Sequence, residues 1–305
     1  MGSSALAIPA SIDLPGDRVF PENITSGKDG TLYVGSLGSG GVIRIRAGAA
    51  KAEVWIKPGA FGSRSILGVL ADEGSNTLWA CSNDLSLVGV VIPGTETGSA
   101  LKGFDLKTGA GKISAKLPGD RTACNDIAVG PDGSAYVTNS SAPQILRLPP
   151  GATQLEVWAR DPLLAPPSGG GVGLDGIAFG ADGNLYVDTY TAGEMFRVDV
   201  TGGKAGKVTK LKLSRHMVLA DAIRPISKAF LIIEGAGRLD RVLIRGDEAT
   251  IETIKDGYAV PTGVTTVGTT AWVSEGQLSY LFDPSKKGQT PNLPFHVYSV
   301  ALPVH

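Results

Sequence analysis

Asn125 to Ser140 reads NDIAVGPDGSAYVTNS. Ile127 and Val129 alternate with small or polar residues, the period-two pattern of a strand buried on one face. Pro131-Asp132-Gly133 is a turn, because proline presets its own φ and glycine accepts positive φ. Ala135 and Val137 then resume the alternation, and Thr138-Asn139-Ser140 ends the second strand in small polar residues. The same phrase recurs from Pro21 (PENITSGKDGTLYVGS), Leu67 (LGVLADEGSNTLWACS), Asp175 (DGIAFGADGNLYVDTY) and Asp221 (DAIRPISKAFLIIEG), with a weaker copy from Thr262 (TGVTTVGTTAWVSEG). A period of roughly 40 to 55 residues built from short strands marks a β-propeller.

The copies lay out an all-β, six-bladed β-propeller with four antiparallel strands per blade. It forms one domain over residues 1–305, with blades starting near residues 22, 67, 125, 175, 221 and 262. In the third blade QILRLPP and LEVWAR supply the outer two strands. The second blade carries an insertion from Asn83 to Ser99, and no further stretch of repeat length remains for a seventh blade. The sixth blade is expected to use GVTTV, TAWVSEG, LSYLFDP and PFHVYSV. Ala7 to Leu14 is expected to add a strand to an end blade and close the ring, which removes open sheet edges. No amphipathic helix is expected.

The net charge of −1 over 305 residues gives no basic surplus for nucleic acid. The 42 glycines suit tight turns and closely packed blades. No apolar run approaches the roughly 18 residues of a membrane span. Met1-Gly2-Ser3-Ser4 reads as a tag remnant standing where a leader could have been, so the compartment stays open between cytoplasm and an exported location. Cys81 and Cys124 permit one disulfide, although two buried free thiols are the expectation. The oligomeric state is not readable, and the partner expected is a small-molecule substrate.

In a propeller the loop entering each innermost strand and the loop leaving the second strand share one face of the disc. The first set gathers Glu22, Leu67/Gly68, Asn125/Asp126, Asp175, Asp221 and Thr262; the second gathers Ser36, Ser82/Asn83, Asn139, Asp188/Tyr190, Glu234 and Glu275. Carboxylates converging on one axis repel unless a cation neutralises them. Carboxylate and amide oxygens suit Ca²⁺, Mg²⁺ or Mn²⁺, whereas Zn²⁺ more often takes His or Cys. One divalent ion is therefore expected on Glu22, Asn125, Asp175 and Asp221, with calcium foremost and zinc, manganese or magnesium as alternatives. His216, five residues before Asp221, is a candidate substrate contact, while His296 reads as structural and His305 is terminal. Gly169-Gly170-Gly171 lacks the helix and lysine of a phosphate loop and reads as a connection.

Pro21-Glu22-Asn23, Asn125-Asp126, Asp175-Gly176-Ile177 and Asp221-Ala222-Ile223 resemble the motifs of the senescence marker protein, gluconolactonase and regucalcin family of six-bladed propellers. The resemblance runs from about Pro21 to Val300. It implies that Glu22 is the first metal ligand and that Asp175 stands where the family has Asn before Gly. It makes Asp221 both a ligand and the general base, and Asn125 a further ligand or substrate contact. Arg121 is the counterpart of the arginine that grips a sugar substrate. Ile127 and Ala222 also depart from the family pattern, and Arg121 precedes Asn125 by four residues rather than two. The activity implied is metal-dependent lactone hydrolysis. Alternatives are another ester or phosphotriester, a non-catalytic ligand-binding propeller, or a metal-free propeller resembling the strictosidine-synthase-like proteins.

Overall fold

Asp29-Gly30, Asp132-Gly133 and Asp182-Gly183 close the same hairpin in three blades. In each, the aspartate Oδ1 accepts the backbone N–H two residues on, from Thr31 (2.9 Å), Ser134 (3.1 Å) and Asn184 (3.1 Å). The glycines sit at φ 86°, 75° and 81°, a region other residues enter only with strain. The Tyr136 and Tyr186 hydroxyls donate back to Asp132 and Asp182 at 3.3 and 2.8 Å, tying each turn to the strand that leaves it.

A computed structural model describes residues 8–94, 96–286 and 288–303. It is a six-bladed β-propeller, with the innermost strands Pro21–Ser26, Ser65–Asp72, Cys124–Val129, Leu174–Phe179, Ala220–Ile226 and Pro261–Val267. Blades one to four run in chain order from the innermost strand outward. The fifth adds a short parallel strand, Lys212–Leu213, beyond its outermost strand. In the sixth, LSYLFDP is not a strand: Ser279–Phe282 forms a single helical turn. The fourth strand comes from the N-terminus, where Ser11–Asp13 pairs antiparallel with His296–Ala301, Ser11 opposite Tyr298 and Asp13 opposite His296. The expected closing strand thus replaces the expected local one; Ala7, Met1 to Ser4 and His305 lie outside the described residues.

The core lies between blades. Ile145 and Tyr136 of the third blade cluster with Leu174, Ile177 and Phe196 of the fourth, Leu146 clusters with Trp79 and Leu101 of the second, and Tyr136 meets Trp158 and Phe179 edge-on at 5.0 and 5.1 Å. At the junction of blades two and three the expectation of free thiols is corrected: Cys81 and Cys124 form a disulfide. The second strand of one blade and the innermost strand of the next bring them together, and the Asn83 side chain locks the same junction. Its Nδ2 donates to Cys124 O (2.8 Å) and its Oδ1 accepts from Cys124 N (2.9 Å). The bridge closes a loop across a separation of 43 residues. Reducing it should lower the unfolding free energy by about 2–4 kcal/mol, read from urea midpoints with and without reductant. An unchanged midpoint would mean that the Asn83 bonds alone hold the junction.

Candidate functional site

Every innermost strand slips register with its neighbour at the same level. The breaks fall between Pro21 and Asn23, Ile66 and Val69, Cys124 and Ile127, Leu174 and Ile177, Ala220 and Ile223, and Pro261 and Gly263. The residues inside these bulges are Glu22, Leu67-Gly68, Asn125-Asp126, Asp175-Gly176, Asp221-Ala222 and Thr262. A bulge leaves its extra residue out of the ladder and re-aims the side chain, which is why bulges recur beside sites. Phe20, Leu219 and Val260, each two residues ahead of Glu22, Asp221 and Thr262, hold positive φ (41°, 59° and 52°), a strained entry repeated in three blades.

The second bulge residue must be small where neighbouring innermost strands touch. A Cβ on Gly68 would lie 2.2 Å from the Asn125 carbonyl oxygen, and one on Gly176 would lie 2.4 Å from that of Asp221. Gly176→Ala should therefore push the Asp221 backbone outward and destabilise the protein by about 1–3 kcal/mol. Thermal melts check this, and an unchanged melting temperature would show that the two strands separate freely.

The ring so built is acidic and buried. Glu22, Asn125, Asp175 and Asp221 are all buried, and Asp188, from the second strand of blade four, joins them at 0% exposure. Asn125 Nδ2 donates to Asp175 Oδ2 at 2.9 Å and to Ser140 Oγ at 3.0 Å. Burial first, then mutual repulsion, holds Glu22, Asp175, Asp188 and Asp221 well above the usual carboxylate range. Burial, reinforced by the charges of Asp221, Asp175 and Glu22, also pushes the Tyr190 phenol up, so it stands beside these carboxylates as a neutral donor.

A second tier follows along the same strands. Arg224, three residues beyond Asp221, places Nη1 2.7 Å from Asp126 Oδ2, and its Nη2 reaches Asp126 Oδ1 (3.0 Å) and Asn23 Oδ1 (2.9 Å). Asn23 Nδ2 completes the triangle to Asp126 at 3.2 Å. Three blades are thus joined across the axis by one guanidinium.

The donor chemistry of the upper ring fits a hard divalent cation. Five buried oxygens have no hydrogen-bond partner: Glu22 Oε2, Asn125 Oδ1, Asp175 Oδ1, Asp188 Oδ2 and Asp221 Oδ1. Buried oxygens normally find donors, and five without one at this ring fit the all-oxygen ligand set of a hard divalent cation. Among the described residues no three His, Cys, Asp or Glu side chains stand as a ready metal cluster.

The other sequence-selected residues lie farther out. Arg121 is exposed on the loop entering the third blade, its carbonyl accepting from Asn139 Nδ2 at 3.1 Å. His216 is exposed on the loop before Asp221, its ring beside Gly193. His296 pairs with Asp13 at 3.0 Å. Glu234 is engaged by Arg215 at 2.5 Å, and Glu275 accepts from Ala259 N at 2.6 Å. Gly169 to Gly171 lie in the connection between blades three and four. Arg224 was not singled out from the sequence; its signal was a lone charged residue inside the most buried type of strand, and Asn23 carried none.

Residues 3–45 match the family model described as strictosidine synthase-like, N-terminal. No curated protein matches the chain. Among solved structures, a gluconolactonase from Xanthomonas campestris is 14% identical, covering 96% of this chain and 89% of that one at a TM-score of 0.67. Regucalcin from Agrobacterium tumefaciens, a calcium-binding protein, is 13% identical over 97% and 95% at 0.65. A virginiamycin B lyase from Staphylococcus aureus is 14% identical over 96% and 98% at 0.61. The structural neighbours therefore include gluconolactonase and regucalcin propellers, and at these identities the likeness establishes the shared fold.

Proposed function

We propose that this chain is a divalent-cation-dependent hydrolase of a lactone. Glu22, Asn125, Asp175 and Asp221 hold one ion, calcium foremost, and Asp188 is a fifth oxygen within reach. The observation that carries this reading is the set of five unpartnered buried oxygens, four from the bulge residues Glu22, Asn125, Asp175 and Asp221 and one from Asp188 on the second strand of blade four. The gluconolactonase and regucalcin likenesses support it by analogy of fold. A bound divalent ion would neutralise the ring and polarise the lactone carbonyl.

The remaining chemistry falls to the chain. Asp221 accepts the proton of the attacking water, and a divalent ion held beside it would keep its carboxylate ionised for that role while making it a modest base. Tyr190, neutral beside the same carboxylates, is placed to donate to a substrate oxygen. His216 would contact parts of the substrate that extend over the rim. The test is base uptake in a pH-stat with aldonolactones, aliphatic lactones and phosphotriesters, each with Ca²⁺, Mn²⁺, Mg²⁺ or Zn²⁺. Hydrolysis of a lactone class that disappears in Asp221→Asn is expected. Turnover of phosphotriesters alone would move the reaction class. No turnover of any substrate would favour the non-catalytic ligand-binding reading.

A further inference from the structure

Arg121 stands away from the acidic ring but is not idle surface. It lines two adjoining cavities, of about 320 and 390 Å³, on the rim of the third blade. The first lies against the outermost strand, Glu156–Arg160, with Val157 and Arg160 in its wall; the second is walled by Pro166 and Pro167 of the loop leading to the fourth blade. Together they form one groove with Arg121 at its centre, of the size that takes a small molecule.

Its polar groups converge. Gln144, 4% exposed, accepts from Arg160 Nη2 through Oε1 at 2.7 Å, so a nearly buried amide fixes the second guanidinium in the groove wall. Neither Arg121 nor Arg160 is within ion-pair distance of a carboxylate among the described residues. Asp120 also lines the groove. Two guanidiniums against one carboxylate leave one net positive charge, which matches a monocarboxylate better than a phosphate dianion. Guanidinium presents paired donors to a carboxylate, and the valine and proline walls suit an apolar body.

We propose that this groove is a binding site, separate from the acidic ring, for a small organic carboxylate with an apolar body. The carboxylate lies on Arg121 and Arg160, and the body runs along Val157 and the Pro166-Pro167 wall. The proposal does not depend on the ring being a hydrolase.

The probe is 4-phenylbutyrate, titrated by calorimetry into the full chain, with 4-phenylbutyramide as neutral partner and inorganic phosphate as competitor. Saturable one-site binding is expected, weaker by about tenfold or more for the amide and for Arg121→Ala, because charge-assisted hydrogen bonds are lost. Arg160→Ala should weaken it similarly, and both exposed variants should melt with the wild type. Asp221→Asn should bind the probe unchanged, and phosphate should compete poorly. The proposal is overturned by an absence of saturation, by equal binding of the amide, by affinity that survives in both arginine variants, by competition from phosphate at equal concentration, or by loss of binding in Asp221→Asn.

Discussion

Arg224→Met is expected to lower the unfolding free energy by about 3–5 kcal/mol, the largest stability loss of any single substitution considered for this ring. The side chain is only 9% exposed, and its guanidinium satisfies both oxygens of Asp126, itself fully buried, together with Asn23 Oδ1. Its removal strands a fully buried carboxylate with Ile177 N, at 3.3 Å, and the Asn23 amide as its remaining donors. Desolvation makes such a pair poor evidence of net stabilisation but makes breaking it expensive. The double variant Arg224→Met, Asp126→Leu should therefore recover much of the loss, which separates the stranded charge from the missing packing. Urea unfolding of the parent, both single variants and the double variant closes the cycle. A loss below about 1 kcal/mol for Arg224→Met would mean that water reaches Asp126 and that the tier does not seal the channel.

Asp221→Asn should abolish hydrolysis and weaken divalent-ion binding by more than the roughly 10–100-fold that outer-shell partners typically contribute. It should also do something an ordinary core substitution does not. Folding raises the affinity of Glu22, Asp175, Asp188 and Asp221 for protons above that of the unfolded chain, whose carboxylates titrate near pH 4. Their contribution to stability is thus fully present below about pH 4 and is lost as pH rises through the higher folded values. Chelated wild-type protein should accordingly become less stable between mildly acid and alkaline pH. Added Ca²⁺ should restore stability by an amount that grows with pH, because ion and proton compete for the same oxygens. Chelated Asp221→Asn, with one fewer repelling charge, should melt above chelated wild type at pH 8 and gain little from Ca²⁺. A melting temperature that is independent of both pH and Ca²⁺ in the wild type would count against a crowded ring.

Much of the architecture is legible because it is local. Asp132-Gly133 and Asp182-Gly183 announce their hairpins, since the aspartate caps the turn and glycine alone takes the required φ without strain. The ring residues stand out because each occupies the same offset in its repeat; the bulge that gives the offset its meaning is visible only in the strand register. What the sequence hides is non-local. Leu278–Phe282 reads as a short apolar run that suits a strand, but Leu278 and Leu281 pack against Leu37, Val90 and Ile92, and a helical turn presents both to that cluster. Its place in the sheet goes to Ser11–Asp13, at the far end of the chain. Arg224 meets partners 98 and 201 residues away, a pairing that no local pattern encodes. Cys81 and Cys124 pair because adjacent blades juxtapose a second strand with an innermost one, and two cysteines alone do not reveal that.

Elemental analysis of chelator-stripped protein, reloaded with Ca²⁺ and freed of excess ion, asks most directly whether the bulge ring is a cation site. One ion per chain in the wild type, and none in Asp221→Asn or Glu22→Gln, is the result predicted. No retained ion in the wild type at any pH from 6 to 9, or equal retention in all three proteins, would contradict it.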